Sequence, residues 1–292
     1  MVKYFTFLII TLFISCNHKM TVERTANFPK QIKTMPKVEN KENVWVFIMA
    51  GQSNMAGRGL VEPQDTVSNK RILSINRVGE LVIAKEPLHF YEPERTGLDC
   101  GMSFAKTLIK KIPDNISILL IPTAVGGSSV RQWLSDSVYR GVKLFSNFKV
   151  KIEIANRYGI IKGILWHQGE SDANEKDLPL HEQRLIELFS KFRTVADNNN
   201  LPVLIGELGS FSKNKADFLK MNSALHNYST KDKNSIVIST KDLKDKGDSL
   251  HFNSKGQRMM GKRSPQHCKY KRLRSRPQSG CSYWLSCDGP QQ

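Results

Sequence analysis

Nothing in this sequence has the cysteine or histidine spacing of a metal site. Its five cysteines, Cys16, Cys100, Cys268, Cys281 and Cys287, form no C-x-x-C pair, and an odd number gives no disulfide framework. The G-x-x-x-x-G-K-[ST] phosphate loop is missing, and so is any internal repeat. The N-terminal apolar stretch from Tyr4 to Cys16 is too short for a comfortable bilayer span. Acidic residues are scarce, 27 against 44 Lys and Arg, for a formal net charge of +17. Residues 262–292 hold seven Lys/Arg and one Asp, a net of +6, which leaves +11 spread over the rest of the chain. No basic motif interleaved with aromatics stands in the body, so the charge reads as a diffusely basic surface, and no nucleic-acid partner is expected.

What is present is a core. The 292 residues suffice for one large domain or two modest ones, and 39% of them are hydrophobic. Short apolar runs rich in β-branched residues or Leu predict strands at 44–50, 116–122, 160–167, 202–207 and 235–239. Amphipathic stretches at 101–111, 142–158, 180–197 and 214–228 predict helices between them; in the third, Leu185, Leu188, Phe189 and Phe192 recur at helical spacing. Buried-type strands alternating with helices imply an α/β fold, a parallel sheet covered on both faces. Residues 60–99 read as a long Pro/Gly-rich loop region with a small hairpin at 71–83.

In such sheets ligands bind at the C-terminal ends of the strands, and chemically loaded segments follow four of the five predicted strands. Ser53 lies in Gly51-Gln52-Ser53-Asn54-Met55-Ala56-Gly57 after the first. A serine there is ordinarily a helix N-cap, but Gly51, Gly57 and Gly59 permit a turn tight enough to present a nucleophile whose own N–H faces a developing oxyanion. Gly126-Gly127-Ser128-Ser129 follows the second strand and offers backbone donors, or a simple turn. Trp166-His167-Gln168-Gly169-Glu170 ends the third. The Gln168 amide suits an oxyanion. Glu170 is placed to orient His167 or His251 or to bind backbone, and His167 is a second candidate base. Asp248-Ser249-Leu250-His251 follows the fifth strand, with Asp248 spaced to fix the tautomer of His251. A hydroxyl, an imidazole and a carboxylate make an activated nucleophile. Cys100, with no adjacent His or basic residue, reads as a small buried hydrophobe.

Together these segments, with Trp133 downstream of Gly127 and Phe252 after His251, resemble the SGNH/GDSL hydrolase superfamily. More narrowly they resemble its sialate O-acetylesterase-like group, which includes acetylxylan esterases of carbohydrate esterase family 6. The similarity spans about residues 44–262. It implies a flavodoxin-like three-layer α/β/α sandwich on a five-stranded parallel sheet, with Ser53 as nucleophile, His251 as base and Asp248 as its orienter. The oxyanion hole it implies uses the Ser53 N–H, a glycine N–H from the Gly126-Gly127 pair (Gly127 above all) and the Gln168 side chain, with Gly126, Glu170 and His167 in support. It implies no metal and no cofactor. The expected reaction is hydrolysis of acetyl esters on a carbohydrate. A lipase or thioesterase on the same scaffold and a non-catalytic carbohydrate-binding surface protein are the alternatives.

The ends carry their own readings. Lys3, an apolar segment and Ser15-Cys16 make an export signal over 1–16. It resembles a bacterial lipoprotein signal, with Cys16 the lipidated residue anchoring the chain to a membrane, although Phe13 stands where such signals usually carry Leu. An ordinary secretory signal is the other reading. Residues 17–43 are polar and read as a flexible tether. The esterase domain is assigned to 44–262. Where relatives would continue in an amphipathic closing helix, Pro265 intervenes, and 263–292 turns Arg/Ser/Cys-rich, as a frameshifted or foreign terminus would. A functional basic tail is the alternative; on the first reading residues 264–292 are expected to add nothing to catalysis.

Overall fold

The computed structural model describes residues 23–35, 37–272 and 283–287; the expected signal segment with Cys16, the first part of the expected tether and Cys281 lie outside them. In chain order the elements are β1 (Val44–Gly51), α1 (Ser53–Ala56), β2 (Ile72–Ile75), β3 (Leu81–Ile83), α2 (Gly101–Leu108), β4 (Ser117–Pro122), α3 (Val130–Ser135), β5 (Val138–Tyr139), β6 (Val142–Lys143), α4 (Leu144–Tyr158), β7 (Ile160–His167), α5 (Leu178–Val195), β8 (Val203–Gly206), α6 (Lys215–Lys231), β9 (Ser235–Ile238), α7 (Ser254–Arg263), β10 (Cys268–Arg272) and β11 (Tyr283–Cys287).

Every residue of β1 is buried, as its unbroken apolar run requires of a strand covered on both faces. It lies at the centre of a seven-stranded sheet of order β3-β2-β4-β1-β7-β8-β9. All pairings are parallel except β2 with β3. The five predicted strands are present. The two additional ones come from the hairpin at 71–83, which adds to the sheet edge because β2 runs parallel to β4. Alternate residues of β1 face opposite layers. Val44, Val46 and Ile48 pack with Phe148, Phe189, Phe192 and Leu225 of α4, α5 and α6, and Trp45, Phe47 and Met49 pack with Phe104 and Leu108 of α2 and Met260 of α7. The result is a three-layer α/β/α sandwich. The chain goes from β1 to β2 and β4 on one side, then crosses to β7, β8 and β9 on the other. The order thus switches beside β1, where open α/β sheets have their binding crevice.

The closing helix is short but formed. Asn253 caps it by accepting from the Gly256 N–H, and it packs across α2. Pro265 then turns the chain into a single 3-10 turn, Ser264–His267. The Ser264 hydroxyl donates to the Met260 carbonyl at 2.9 Å and the Lys111 ammonium to the Pro265 carbonyl at 3.2 Å, so the helix end is tied into the fold. Among the described residues, strands β10 and β11 pair only with each other. A cut at 264 would remove these contacts with α7, and the dispensable tail is better taken as 268–292. Deleting 268–292 is expected to leave kcat/KM for a small acetyl ester within a few-fold. A folded, monomeric truncation that had lost activity a hundredfold would assign the tail a part in shaping the site.

Candidate active site

Ser53 is placed by the exit of β1. Gly51 takes φ 131°, and a Cβ there would stand 2.1 Å from the His167 carbonyl oxygen, so only glycine lets β1 and β7 meet at this point. Gln52 bonds its N–H to that carbonyl at 2.9 Å and caps α1 with its own carbonyl, which accepts from Met55 and Ala56. Ser53 is the first residue of α1, and it is 6% exposed.

His251 is brought to it by a loop made of nested local turns. The Asp245 carboxylate accepts from the N–H groups of Gly247 (3.0 Å) and Ser249 (2.7 Å), and Ser249 sits in the left-handed region at φ 60°. Asp248 repeats the device, accepting from the N–H groups of Leu250 (3.0 Å) and His251 (2.8 Å). Its other oxygen is 2.7 Å from His251 Nδ1, and His251 Nε2 is 3.0 Å from Ser53 Oγ. With Asp248 accepting from Nδ1–H, Nε2 is the free acceptor facing the serine hydroxyl.

Burial alone would raise the Asp248 carboxyl, but the N–H and imidazole bonds it accepts outweigh that and hold it below the usual carboxylate range. Burial pushes the His251 imidazolium in the opposite sense, below the ordinary histidine value, against the opposing pull of Asp248. The neutral ring is the form able to accept a proton, and lowering its pKa extends that form to more acidic pH. The acid limb of kcat/KM is therefore expected to have its midpoint below about 6.5, the unperturbed value. A midpoint at or above about 7 in a pH–rate profile would contradict the neutral, half-buried base.

Asn54, which the sequence did not single out, holds the two halves together. Its Nδ2 donates to the Leu250 carbonyl at 3.2 Å and its Oδ1 accepts from the Phe252 N–H at 3.1 Å, so it grips the residues on either side of His251. It is fully buried, and its Nδ2 also bonds Glu170 at 2.6 Å. Adjacency to Ser53 was the only signal for it. Asn54→Ala is expected to lower kcat on the order of tenfold to a hundredfold through loss of the His251 position, read as a kcat loss with little change in KM. Unchanged kcat would show that the loop holds itself.

The oxyanion candidates separate. Gly126 gives its N–H to Glu92 Oε2 at 2.6 Å, and a Cβ at Gly126 would stand 2.1 Å from Arg58 Nη2. Its amide is thus committed to structure. Glu92 is held in turn by Arg58 at 2.7 Å and by Arg140, which joins the 60–99 region to the turn between β5 and β6. No hydrogen bond occupies the Gly127 N–H among the described residues. The Ser128 hydroxyl bonds the Val125 and Gly51 carbonyls and accepts from the Trp133 indole at 3.0 Å, fastening this loop to the end of β1.

Gln168 departs from expectation. It is fully buried, and its Nε2 donates to Asp172 at 2.7 Å and to the Ser128 carbonyl at 3.3 Å. Both amide protons are spent on the scaffold, because Asp172, also buried, draws the amide away from the crevice. His167 is fully buried, with Nε2 2.9 Å from the Glu207 carbonyl, and does not reach Ser53. Glu170 lies 3.6 Å from His167 Nδ1 and bonds Asn54. Cys100 is buried, and burial pushes its thiol well up, which suits a packing residue. Among the described residues no group of three or more His, Cys, Asp or Glu is arranged to hold a metal ion.

The chain is similar to known carbohydrate esterases. A probable carbohydrate esterase of Arabidopsis thaliana is 27% identical over 238 residues, covering 74% of this chain and 86% of that one. The crystal structure of that protein superposes with a TM-score of 0.68, over 77% of this chain and 97% of its own. Two more distant structures share the fold: NanS, 20% identical with a TM-score of 0.62 over 77% of this chain and 96% of that one, and a carbohydrate acetylesterase of Xanthomonas citri, 18% identical with a TM-score of 0.59 over 77% and 56%. The family described as carbohydrate esterase, sialic acid-specific acetylesterase, matches residues 43–269, most of the chain, and to that family the protein belongs.

Proposed function

We propose that the protein is a serine esterase that removes acetyl groups from carbohydrates through an acyl-enzyme. The observation that supports this best is the unbroken line from Asp248 through His251 to Ser53 Oγ, at 2.7 and 3.0 Å, beside the unoccupied Gly127 N–H. In this reading His251 Nε2 takes the proton as Ser53 Oγ attacks the acetyl carbonyl carbon. It returns that proton to the departing sugar oxygen, leaving acetyl-Ser53. Water, deprotonated by the same nitrogen, then attacks the acetyl carbon, and acetate leaves with Ser53 restored.

The test is twofold. A serine-directed phosphonate is expected to add its mass to the peptide carrying Ser53. Acetate release is expected from at least one member of a panel of O-acetylated sugars spanning sialic acids and acetylated xylan. Labelling without acetate release from any sugar would favour another acyl substrate, and neither labelling nor release would favour the binding-protein alternative. We propose export as well, on the basis of Lys3, the apolar run and Cys16; a lipid-modified N-terminal Cys16 in the mature protein is the expected mass-spectrometric result.

A further inference from the structure

The segment before β1 is held to the domain at several points. Thr34 bridges antiparallel to Val82 of β3; the Met35 N–H donates to the Leu81 carbonyl at 2.8 Å and the Ile83 N–H to the Lys33 carbonyl at 2.9 Å. Farther back, the Asn27 amide donates to the Val61 carbonyl at 3.0 Å. Arg24 donates to the carbonyls of Thr96 and Pro93, the latter at 3.1 Å, and its guanidinium lies 5.2 Å from the centre of the Phe28 ring. These bonds carry Arg24 into the wall of a cavity of about 500 Å³, lined also by Arg58, Leu60, Asp245, Lys246 and Asn253. The cavity adjoins the loop that bears His251. The Lys246 N–H donates to the His251 carbonyl at 2.9 Å, and Lys246 Nζ lies 3.6 Å from Asp248.

The lining is rich in unspent polar groups yet nearly balanced in charge. Arg58 is paired with Glu92 at 2.7 Å, and Lys246 faces Asp248. Arg24 has no carboxylate partner among the described residues, and its two carbonyls use only part of the guanidinium's donor fork. Asp245 accepts from Gly247 and Ser249 through one oxygen alone. Asn253 spends its side-chain oxygen on the Gly256 N–H, and its NH₂ has no acceptor among the described residues. Donors and an acceptor spread round one cavity, without a large surplus of either charge, suit the hydroxyls of a sugar ring better than an ion. The volume falls in the range of ligand pockets, about 300–1,000 Å³. We infer that this cavity is a subsite for a further sugar unit of the glycan, joined to the one that carries the ester, and that Arg24 determines specificity there. This rests on the reading of the protein as a carbohydrate acetylesterase. The family match begins at residue 43, so Arg24 is supplied from outside the matched region.

Arg24→Ala in the full chain tests it on two substrate pairs: O-acetylated sialic acid, free and as the terminal unit of sialyllactose, and monoacetylated xylose against monoacetylated xylotriose. For the sugar that is deacetylated, the wild type is expected to favour the longer substrate in kcat/KM. Arg24→Ala is expected to cut that preference about tenfold through KM, with kcat on the longer substrate little changed, as for loss of a charged donor. Binding of unacetylated sialyllactose and xylotriose to the Ser53→Ala protein, with and without Arg24→Ala, gives a readout independent of turnover, and the same weakening is expected for the trisaccharide that binds. Arg24→Gln, which keeps an amide donor but not the guanidinium fork, serves if the alanine variant loosens the segment, and the same loss of preference is expected of it. A wild type that favours neither longer substrate and binds neither trisaccharide would overturn the inference. So would a folded Arg24 variant whose KM stays within about twofold of wild type, or one that loses as much kcat on a small chromogenic acetyl ester, the mark of a purely structural role. The two claims fail separately. Arg24-dependent binding without acetate release from any sugar sinks the esterase reading and keeps the subsite; acetate release without dependence on Arg24 does the reverse.

Discussion

Ser53→Ala is expected to lower kcat for a chromogenic acetyl ester on the order of 10⁵-fold or more, as loss of the nucleophile does in an activated triad, and to leave the protein folded. The reason lies in how little else the hydroxyl does. Among the described residues its one hydrogen bond is to His251 Nε2 at 3.0 Å, and α1 is capped by the Gln52 carbonyl rather than by the serine side chain. Alanine is compatible with the first turn of a helix, so the melting temperature should hold. Stopped assays and a melting curve on the same preparation check both halves. Hydrolysis by Ser53→Ala at the wild-type rate would remove Ser53 as nucleophile and return the crevice to a binding role.

His251→Ala is expected to cost on the order of 10⁴–10⁶ in kcat, since the serine proton would have no acceptor in line. Here the sequence held two candidates, and the structure distinguishes them. His251 faces Ser53 from a partly exposed loop, whereas His167 is sealed between Phe252, at a ring distance of 5.6 Å, and the Glu207 carbonyl. His167→Ala is therefore expected to act through packing, with a cavity beside Phe252 and a lowered melting temperature, and a smaller loss of kcat. The comparison is made on both variants with the same ester, at a pH on the plateau of the wild-type profile. A His167 variant more impaired in kcat than the His251 variant at equal stability would reassign the base.

The sequence by itself determined the layers and singled out Ser53, His251 and Asp248, which the structure joins by hydrogen bonds. Strand and helix periods are local, so the five core strands and the helices between them were legible within a few residues. The turn residues Asp248 to His251 build their geometry from neighbours in the chain. Only the tertiary structure decided the rest, because each remaining choice depends on partners far apart in sequence. The hairpin at 71–83 became part of the sheet only through pairing with β4. Gln168, an amide well suited to an oxyanion, was captured by Asp172 and the Ser128 carbonyl. The Gln52 side-chain oxygen is held by the N–H of Ser171, 119 positions on. Asn54 joins the turn that carries Ser53 to the loop that carries His251 across 196 positions. Residue type states what a side chain can donate or accept; which of those bonds are already filled when the chain closes is a property of the packed structure, and it is this that determines which groups stay available for chemistry.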